Sequence, residues 1–486
     1  MIVEQRGQFR FIKRTTPPHT LDYGPVIQKA GPPEYASHTR EPVQYVAVAD
    51  TSGTVIGYVW INDKDAAASF EPRRVHPNHG GGWIERLRDA KARGLAPSEA
   101  LAELTRNPLT HSHIVPGSLA EAPSSAAVRD LAGHPPKERP WHAATGVLLG
   151  LALGDAMGYP TEFLTMEQIT ATFGPWHKME MPLSEGDVVR VTDDTQMTLA
   201  VGEALAEITT SPRETGGAWG ALQPVTPAQV EAALRKHLVA WLRSPDNNRA
   251  PGQTCLNACA ALERGLPWQD ATVISSKGCG ANMRVAPVAL VPGLTAEQRS
   301  GIAQFQAAMT HGHPTALAAS DLTAHTIWLI LHGCAMDDLL PQLRSYAQES
   351  RHTYHSDWLG DLWRKAGAPD PASYIAFGWD ECLRALDKVA EALREPVMDR
   401  DPSEAVGAGW VAEEALATAL YCFLLVKGDA RGSIMRGAHS SGDSDSIAAL
   451  AGAFAGAKHG TYYWLPEWIE VLEYDDRIRA LSQGWD

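Results

Sequence analysis

Two short acidic stretches, far apart in the chain, constrain most strongly what it can become. The first is Thr192-Asp193-Asp194-Thr195, followed by the apolar, helix-forming run Met197, Leu199, Ala200, Val201, Ala204 and Leu205. The second is Gly442-Asp443-Ser444-Asp445-Ser446, followed by a run of small apolar residues from Ile447 to Ala457. Each sets acids and hydroxyls on the first turn of a helix, where they can cap free backbone donors. A carboxylate buried without compensation is very costly, so acids that enter apolar helices need partners. Acids and hydroxyls are also hard oxygen ligands for Mg²⁺ or a similar cation. One acidic cap is ordinary; two such turns converging on a shared cation pair would account for both.

From Trp141 onward Ala, Leu and Glu abound and the pattern is almost wholly helical. Helices are predicted over 142–157, 195–208, 228–243, 254–263, 296–309, 314–332, 335–349, 378–394, 410–426 and 446–459. Residues 141–486 therefore read as one all-α domain, without a repeat period and too large for a four-helix bundle. Ahead of it, residues 1–107 read as a small α+β domain. Val43–Asp50 and Val55–Asn62 alternate around the turn Thr51-Ser-Gly-Thr54, which predicts a hairpin. Helices are expected from Trp83 to Ala92 and from Pro97 to Thr105. The stretch 108–140 is rich in Pro, Ser and Ala and reads as a linker, with a short helix near 126–131. The fold class is mainly α.

Charge narrows the partners. Residues 1–140 carry 17 Lys+Arg against 15 Asp+Glu, a balance of +2, whereas residues 141–486 carry 25 against 42, a balance of −17. An acidic surface argues against broad nucleic-acid binding. An anionic small substrate would need cations to offset that field. The six cysteines form no Cys-x-x-Cys pair and lie in apolar segments, as buried thiols of a reducing cytoplasm do. The charged N-terminus has no apolar signal core, and the longest apolar run, Ala415 to Val426, is too short to span a bilayer. A cytoplasmic protein without membrane attachment is expected.

Other segments offer functional side chains. Asp155 lies near the end of a glycine-bearing apolar helix, and Glu162 follows Gly158 and Pro160 on the loop leaving it. Ser276 to Pro287 holds Gly278-Cys279-Gly280-Ala281-Asn282-Met283-Arg284, whose glycines let backbone amides approach phosphate oxygens. Arg284 either pairs with an anion or locks the loop. In Thr310-His311-Gly-His313, His311 reads as a substrate contact or a cap and His313 as a surface residue. Glu413 and Glu414 suit a helix N-terminus. His76 with His79, and His111 with His113, lack further ligands and read as loop histidines.

Together these segments resemble the ADP-ribosylglycohydrolase family, the group of dinitrogenase-reductase-activating glycohydrolase and the ADP-ribosyl-acceptor hydrolases. The residues that carry the resemblance are Gly154-Asp155-Ala-Met-Gly158 with Glu162, Thr192 to Thr195 with Met197, Gly278 to Pro287, Thr310-His311, and Gly442 to Ser446. It covers about 141–460 and leaves 1–135 unexplained. Two departures stand out: the family's Gly-Asn-Gly is here Gly278-Cys279-Gly280, and its Gly-Asp-x-Asp-Thr ends in Ser446. The resemblance implies an all-α fold with two Mg²⁺ ions, Mn²⁺ being an alternative, held by Thr192, Asp193, Asp194, Asp443, Asp445 and Ser446. It implies that Gly278, Gly280, Ala281, Asn282, Met283 and Arg284 hold the diphosphate, with Asp155 and His311 also on the substrate side. Asp194, Asp443 and Glu162 are then the candidates for proton transfer.

The implied reaction is hydrolysis of the C1″ glycosidic bond between ADP-ribose and an acceptor, through an oxocarbenium-like transition state. The partner is an ADP-ribosylated protein or another ADP-ribose derivative. Rival readings are an ADP-ribose-binding regulator without turnover, an immunity protein against an ADP-ribosyltransferase toxin, and a nucleotide phosphohydrolase. In the immunity reading, residues 1–107 would bind a protein partner.

Overall fold

The computed structural model describes residues 2–6, 9–13, 35–36, 39, 41–73, 81–132, 142–209 and 225–486. The chain divides into two compact units, one of residues 19–138 and one of residues 1–18 with 139–486. This differs from the expected boundaries. The chain's first strands, β1 (Ile2–Arg6) and β2 (Phe9–Lys13), pair with each other and belong to the helical unit.

In the smaller unit, β3 (Val43–Asp50) and β4 (Val55–Asn62) form the expected hairpin, with Val46 opposite Val59. Asp50 fixes the turn, its carboxylate accepting from the Ser52 and Thr54 amides at 2.9 and 3.0 Å. β5 (Ala67–Pro72) extends the sheet beyond β4. The inward side chains Val46, Val48, Val59, Ile61 and Phe70 pack on α1 (Gly81–Ala92) and α2 (Pro97–Arg106), centred on Trp83.

The expected linker is largely structured. β6 (Ser112–Ile114) and β7 (Ala120–Ala122) share the outer edge of β3, and α3 (Ser125–Leu131) follows. Ser125 is tied to Thr39 by a hydrogen bond in each direction, at 3.0 and 2.9 Å. Strands of three residues leave no alternation to read; their pairing is set by the backbone of β3. His111 and His113 are exposed, while His76 and His79 lie outside the described residues.

In the larger unit β8 (Pro182–Leu183) adds to β2, and nearly everything else is helical. Its centre is α4 (Ala143–Gly158), in which every residue is buried. The other principal helices are α5 (Asp193–Ile208), α6 (Pro227–Leu242), α7 (Gln253–Glu263), α8 (Ala296–Ala308), α9 (Pro314–Leu331), α10 (Met336–Ser350), α11 (Pro371–Arg394), α12 (Ala412–Leu425), α13 (Ala430–Ala438) and α14 (Ser444–His459). α11 begins a full two turns earlier than expected. Gly378 lies within it and lets the helix pass against the Pro314 carbonyl, and Asp370 caps the start.

Two helices meet without side chains between them. On α4, Gly146, Gly150, Gly154 and Gly158 recur every fourth residue and so share one face. They press against Gly456, Gly452, Ala448 and Ser444 of the antiparallel α14. A methyl group at Gly150 would overlap the Gly452 carbonyl, and one at Gly154 the Ala448 carbonyl. The seam runs directly into the second acidic turn, because Gly158 sits against Ser444 and Asp445.

Candidate metal centre

The first acidic turn opens α5. Thr192 is its N-cap, the hydroxyl accepting from the Asp194 amide at 3.3 Å. The turn is fixed from below by Asp155, near the end of α4. The Asp155 carboxylate accepts from the Thr192 amide at 3.0 Å, the Thr195 amide at 3.1 Å and the Thr195 hydroxyl at 2.5 Å. Asp155 is fully buried. Its oxygens orient the turn, the structural role that a carboxylate at the end of this helix also allowed. Just upstream, Val191 is held by Arg249 and Glu473. Arg249 donates to the Val191 carbonyl at 2.6 Å, Glu473 accepts from the Val191 amide at 3.2 Å, and the two side chains pair at 2.8 Å.

The second acidic turn opens α14, placed by the glycine seam and by Thr161. The Thr161 hydroxyl reaches the Ala438 carbonyl at 2.6 Å and the Ser444 hydroxyl at 2.9 Å. Glu162 follows directly, on the loop predicted for it, and is half-buried. Glu162, Asp443 and Asp445 each offer an oxygen within 4.8 Å of the others. The two turns adjoin: Asp445 of the second acts on Thr192, Asp193 and Asp194 of the first, and it accepts from the Ser446 amide at 2.9 Å.

The electrostatics follow from six acids collected in a dry place. Burial, then Asp445, push Asp193 up to about 8. Burial, then Asp445 and Asp443, push Glu162 up to about 10. Asp194 and Asp443 lie well above the ordinary carboxylate range for the same two reasons, and burial raises Asp445. Asp155 reaches about 7 by burial and Asp445, against its hydrogen bonds from Thr195 and Thr192. Among the described residues one Asp194 oxygen is buried without a hydrogen-bond partner. Asp193 accepts a long 3.3 Å bond from the Gly252 amide. Uncompensated acids with spare lone pairs, a hydroxyl at each turn and hard oxygen donors throughout form a set that fits Mg²⁺ or Mn²⁺.

The glycine loop is mostly inward-facing. Only Gly278 and Cys279 are half-exposed; Gly280, Ala281, Asn282, Met283 and Arg284 are buried. Arg284 donates to the Gln306 side chain at 3.0 Å, the Gln306 carbonyl at 2.8 Å and the Thr310 hydroxyl at 2.8 Å. Of the two readings offered for Arg284, these bonds are those of a loop lock. Asn282 ties the loop to the Ala412 carbonyl at 3.0 Å. His311 is buried beneath Gly278 and Gly280, bonded to the Thr310 hydroxyl at 2.8 Å. Burial and the Arg284 charge push it down to about 3, so it is a neutral support for the loop. His313 is half-buried rather than superficial and caps α9 by accepting from the Thr315 amide at 3.2 Å. Glu413 pairs with Lys277, and Glu414 accepts from the Ala408 amide at 3.1 Å.

Cys279 stood out in the sequence only as a departure from the family pattern, and Gly252, Phe163 and Trp410 escaped sequence reasoning. Cys279 places its thiol 2.7 Å from an Asp443 oxygen and receives the Ser446 hydroxyl at 3.6 Å. Its position in place of the usual Asn was the available signal. Gly252 reaches Asp193 through a backbone amide, which no residue type announces. Phe163 and Trp410 stack beside the acids with centroids 5.4 Å apart. Each adjoins a quoted motif, but an aromatic in such a run reads as core.

A mostly helical unit with buried acidic turns at two helix starts defines a class of centres suited to hard divalent cations. The comparisons narrow it. The family model "ADP-ribosylglycohydrolase" matches residues 136–485, and the chain belongs to that family. Among its relatives, an uncharacterised protein of Archaeoglobus fulgidus is 27% identical over 342 residues, 69% of this chain and 93% of its own. ADP-ribosylarginine hydrolase Tri1 of Pseudomonas putida is 25% identical over 351 residues, 70% of this chain and 76% of its own. ADP-ribosyl-[dinitrogen reductase] glycohydrolase of Rhodospirillum rubrum is 24% identical over 338 residues, 68% of this chain and 90% of its own. The chain is thus an enzyme of the ADP-ribosylglycohydrolase type. Among the described residues no helix is long and apolar enough to cross a membrane.

Proposed function

We propose that the protein is a Mg²⁺-dependent hydrolase that removes ADP-ribose from a protein side chain in the cytoplasm, reversing ADP-ribosylation. The observation that carries this is the meeting of the two acidic turns, with Asp194 keeping an unpaired buried oxygen. The names of two relatives, with an arginine and a protein as acceptors, support a protein substrate. Six cysteines, all free, support a reducing compartment.

Thr192, Asp193, Asp194, Asp443, Asp445 and Ser446 would hold two cations. Once bound, these supply Lewis acidity toward the ribose hydroxyls and a water. Water adds to C1″ as the bond to the acceptor breaks; the bond's electron pair leaves with the acceptor atom, which takes up a proton. Glu162, with an oxygen within 4.8 Å of Asp443 and Asp445, is the carboxyl placed to pass a proton to the departing acceptor. Asp194 and Asp443 are the alternatives for accepting the proton of water. Gly278 and Cys279 face the substrate, while Arg284, Asn282 and His311 hold that loop.

A panel of arginine-, serine- and nucleobase-linked ADP-ribose substrates, with and without Mg²⁺, read by mass spectrometry, tests the proposal. Release of free ADP-ribose that stops on chelation is expected, as is its loss in Asp194→Ala and Asp443→Ala with helical circular dichroism retained. Turnover surviving in both variants defeats the assignment.

A further inference from the structure

Sulfur stands among the oxygens of the centre. The Cys279 thiol lies 2.7 Å from an Asp443 oxygen, and Asp443 and Asp194 are the charges that act on it most. Asp194 is only 2% exposed, and one of its oxygens is buried without a hydrogen-bond partner. The Ser446 hydroxyl reaches two sulfurs, Cys279 Sγ at 3.6 Å and Met283 Sδ at 4.0 Å. The main chain holds this arrangement in place. The Cys279 amide donates to the Trp410 carbonyl at 3.2 Å, and the Cys279 carbonyl accepts from the Met283 amide at 3.0 Å. The Asp443 amide donates to the Ala408 carbonyl at 2.8 Å. The thiol is half-exposed, so a cation arriving from solvent can reach it.

We propose that Cys279, with Asp443 and Ser446, makes this face of the centre a site for a thiophilic divalent cation such as Zn²⁺, which competes there with Mg²⁺. The inference rests on the two-turn metal centre and names a second class of cation for it. Mg²⁺ takes oxygen ligands and gains little from sulfur. Zn²⁺ and Cd²⁺ bind thiolate strongly, and a coordinating thiol gives up its proton, here to solvent. Asp443 and Ser446 belong to both ligand sets, so the two kinds of cation exclude one another. The remaining cysteines offer no equal site. Cys255 lies 3.7 Å from the Arg284 guanidinium, and Cys259, Cys382 and Cys422 are buried. Cys334 is half-exposed and serves as the control.

The test titrates the full metal-free chain with Cd²⁺ and follows the ultraviolet sulfur-to-cadmium charge-transfer band, which oxygen ligands do not give. A saturable band is expected in wild type and in Cys334→Ser, its midpoint moving to higher Cd²⁺ when Mg²⁺ is added. The band is expected to vanish in Cys279→Ser and in Cys279→Asn. Calorimetry on the same variants is expected to show Zn²⁺ affinity lower by at least about tenfold while Mg²⁺ affinity holds. Retained Mg²⁺ binding also shows that each variant's centre is assembled. A band that survives in a Cys279 variant, or that goes with Cys334→Ser, overturns the inference. So does a midpoint indifferent to Mg²⁺, or an equal loss of Mg²⁺ and Zn²⁺ affinity in both Cys279 variants. If wild type binds Mg²⁺ but gives no band, the inference fails and the metal-centre reading stands. If it binds neither Mg²⁺ nor Zn²⁺, both fall.

Discussion

Neutralising one acid of the cluster should make the metal-free protein more stable and the metal-loaded protein less able to respond. Consider Asp193→Asn. The ordinary aspartate value is 3.8 and burial with Asp445 raises Asp193 to about 8, a rise of about four units. At about 1.4 kcal/mol per unit, keeping that cluster ionised costs up to roughly 6 kcal/mol. The protons are shared among coupled carboxylates, so one substitution returns only part, on the order of 2–4 kcal/mol. The asparagine oxygen still accepts from the Gly252 amide. The sign follows from linkage. With folded values raised, the folded chain binds more protons than the unfolded one, so metal-free stability falls as pH climbs from about 4 toward 8. At about 2 °C per kcal/mol, the chelator-treated variant at pH 8 should melt roughly 4–8 °C above wild type by scanning calorimetry. At pH 5 the gap should shrink. Adding Mg²⁺ should raise wild type more than the variant and close or invert the difference. A metal-free variant that melts below wild type at pH 8, or equal Mg²⁺ shifts in both proteins, would refute the reasoning.

Gly154→Ala should cost about 1–3 kcal/mol in urea unfolding, since the new methyl meets the Ala448 carbonyl, and should depress ADP-ribose release by moving the second acidic turn. Glu473→Gln should cost about 2–3 kcal/mol by leaving Arg249 underpaired, with Mg²⁺ affinity by calorimetry falling because Val191 precedes the first turn. Glu203 and Glu207 hold His237 above its ordinary 6.5, so its contribution is complete below pH 6.5 and fades as pH rises through the folded value. His237→Gln should therefore lower Tm at pH 6, by an amount on the order of 0.5 kcal/mol, and match wild type by pH 9.

The hairpin at 43–62 and helices of ten residues or more were legible because periodicity and capping agree in them, the helix at 296–308 being an example, whereas the nine-residue helix Ala430–Ala438 was not. β1, β2, β6 and β7 were not, being short and defined by their partners' backbone. At the centre, the acids declared themselves because carboxylates on apolar helices demand an explanation. For Asp155, Arg284 and His311 the sequence left structural and ligand-facing readings side by side, because residue type does not say which way a buried polar group points. Asp155 points at amides, Arg284 at a carbonyl and His311 under a loop. Gly252 left no trace at all, since it acts through the main chain.

The seam between α4 and α14 also dictates how the centre can fail to assemble. Its seats repeat every four residues, so sliding one helix along the other finds the next comfortable register only after about 6 Å. A displacement of that size carries Asp443 and Asp445 beyond any coordination bond with the first turn. Intermediate positions are blocked by carbonyl groups, which cannot fold away as a side chain would. The chain therefore has no loosely assembled version of its centre: the notches engage and the acids face one another, or they do not and nothing chemical remains.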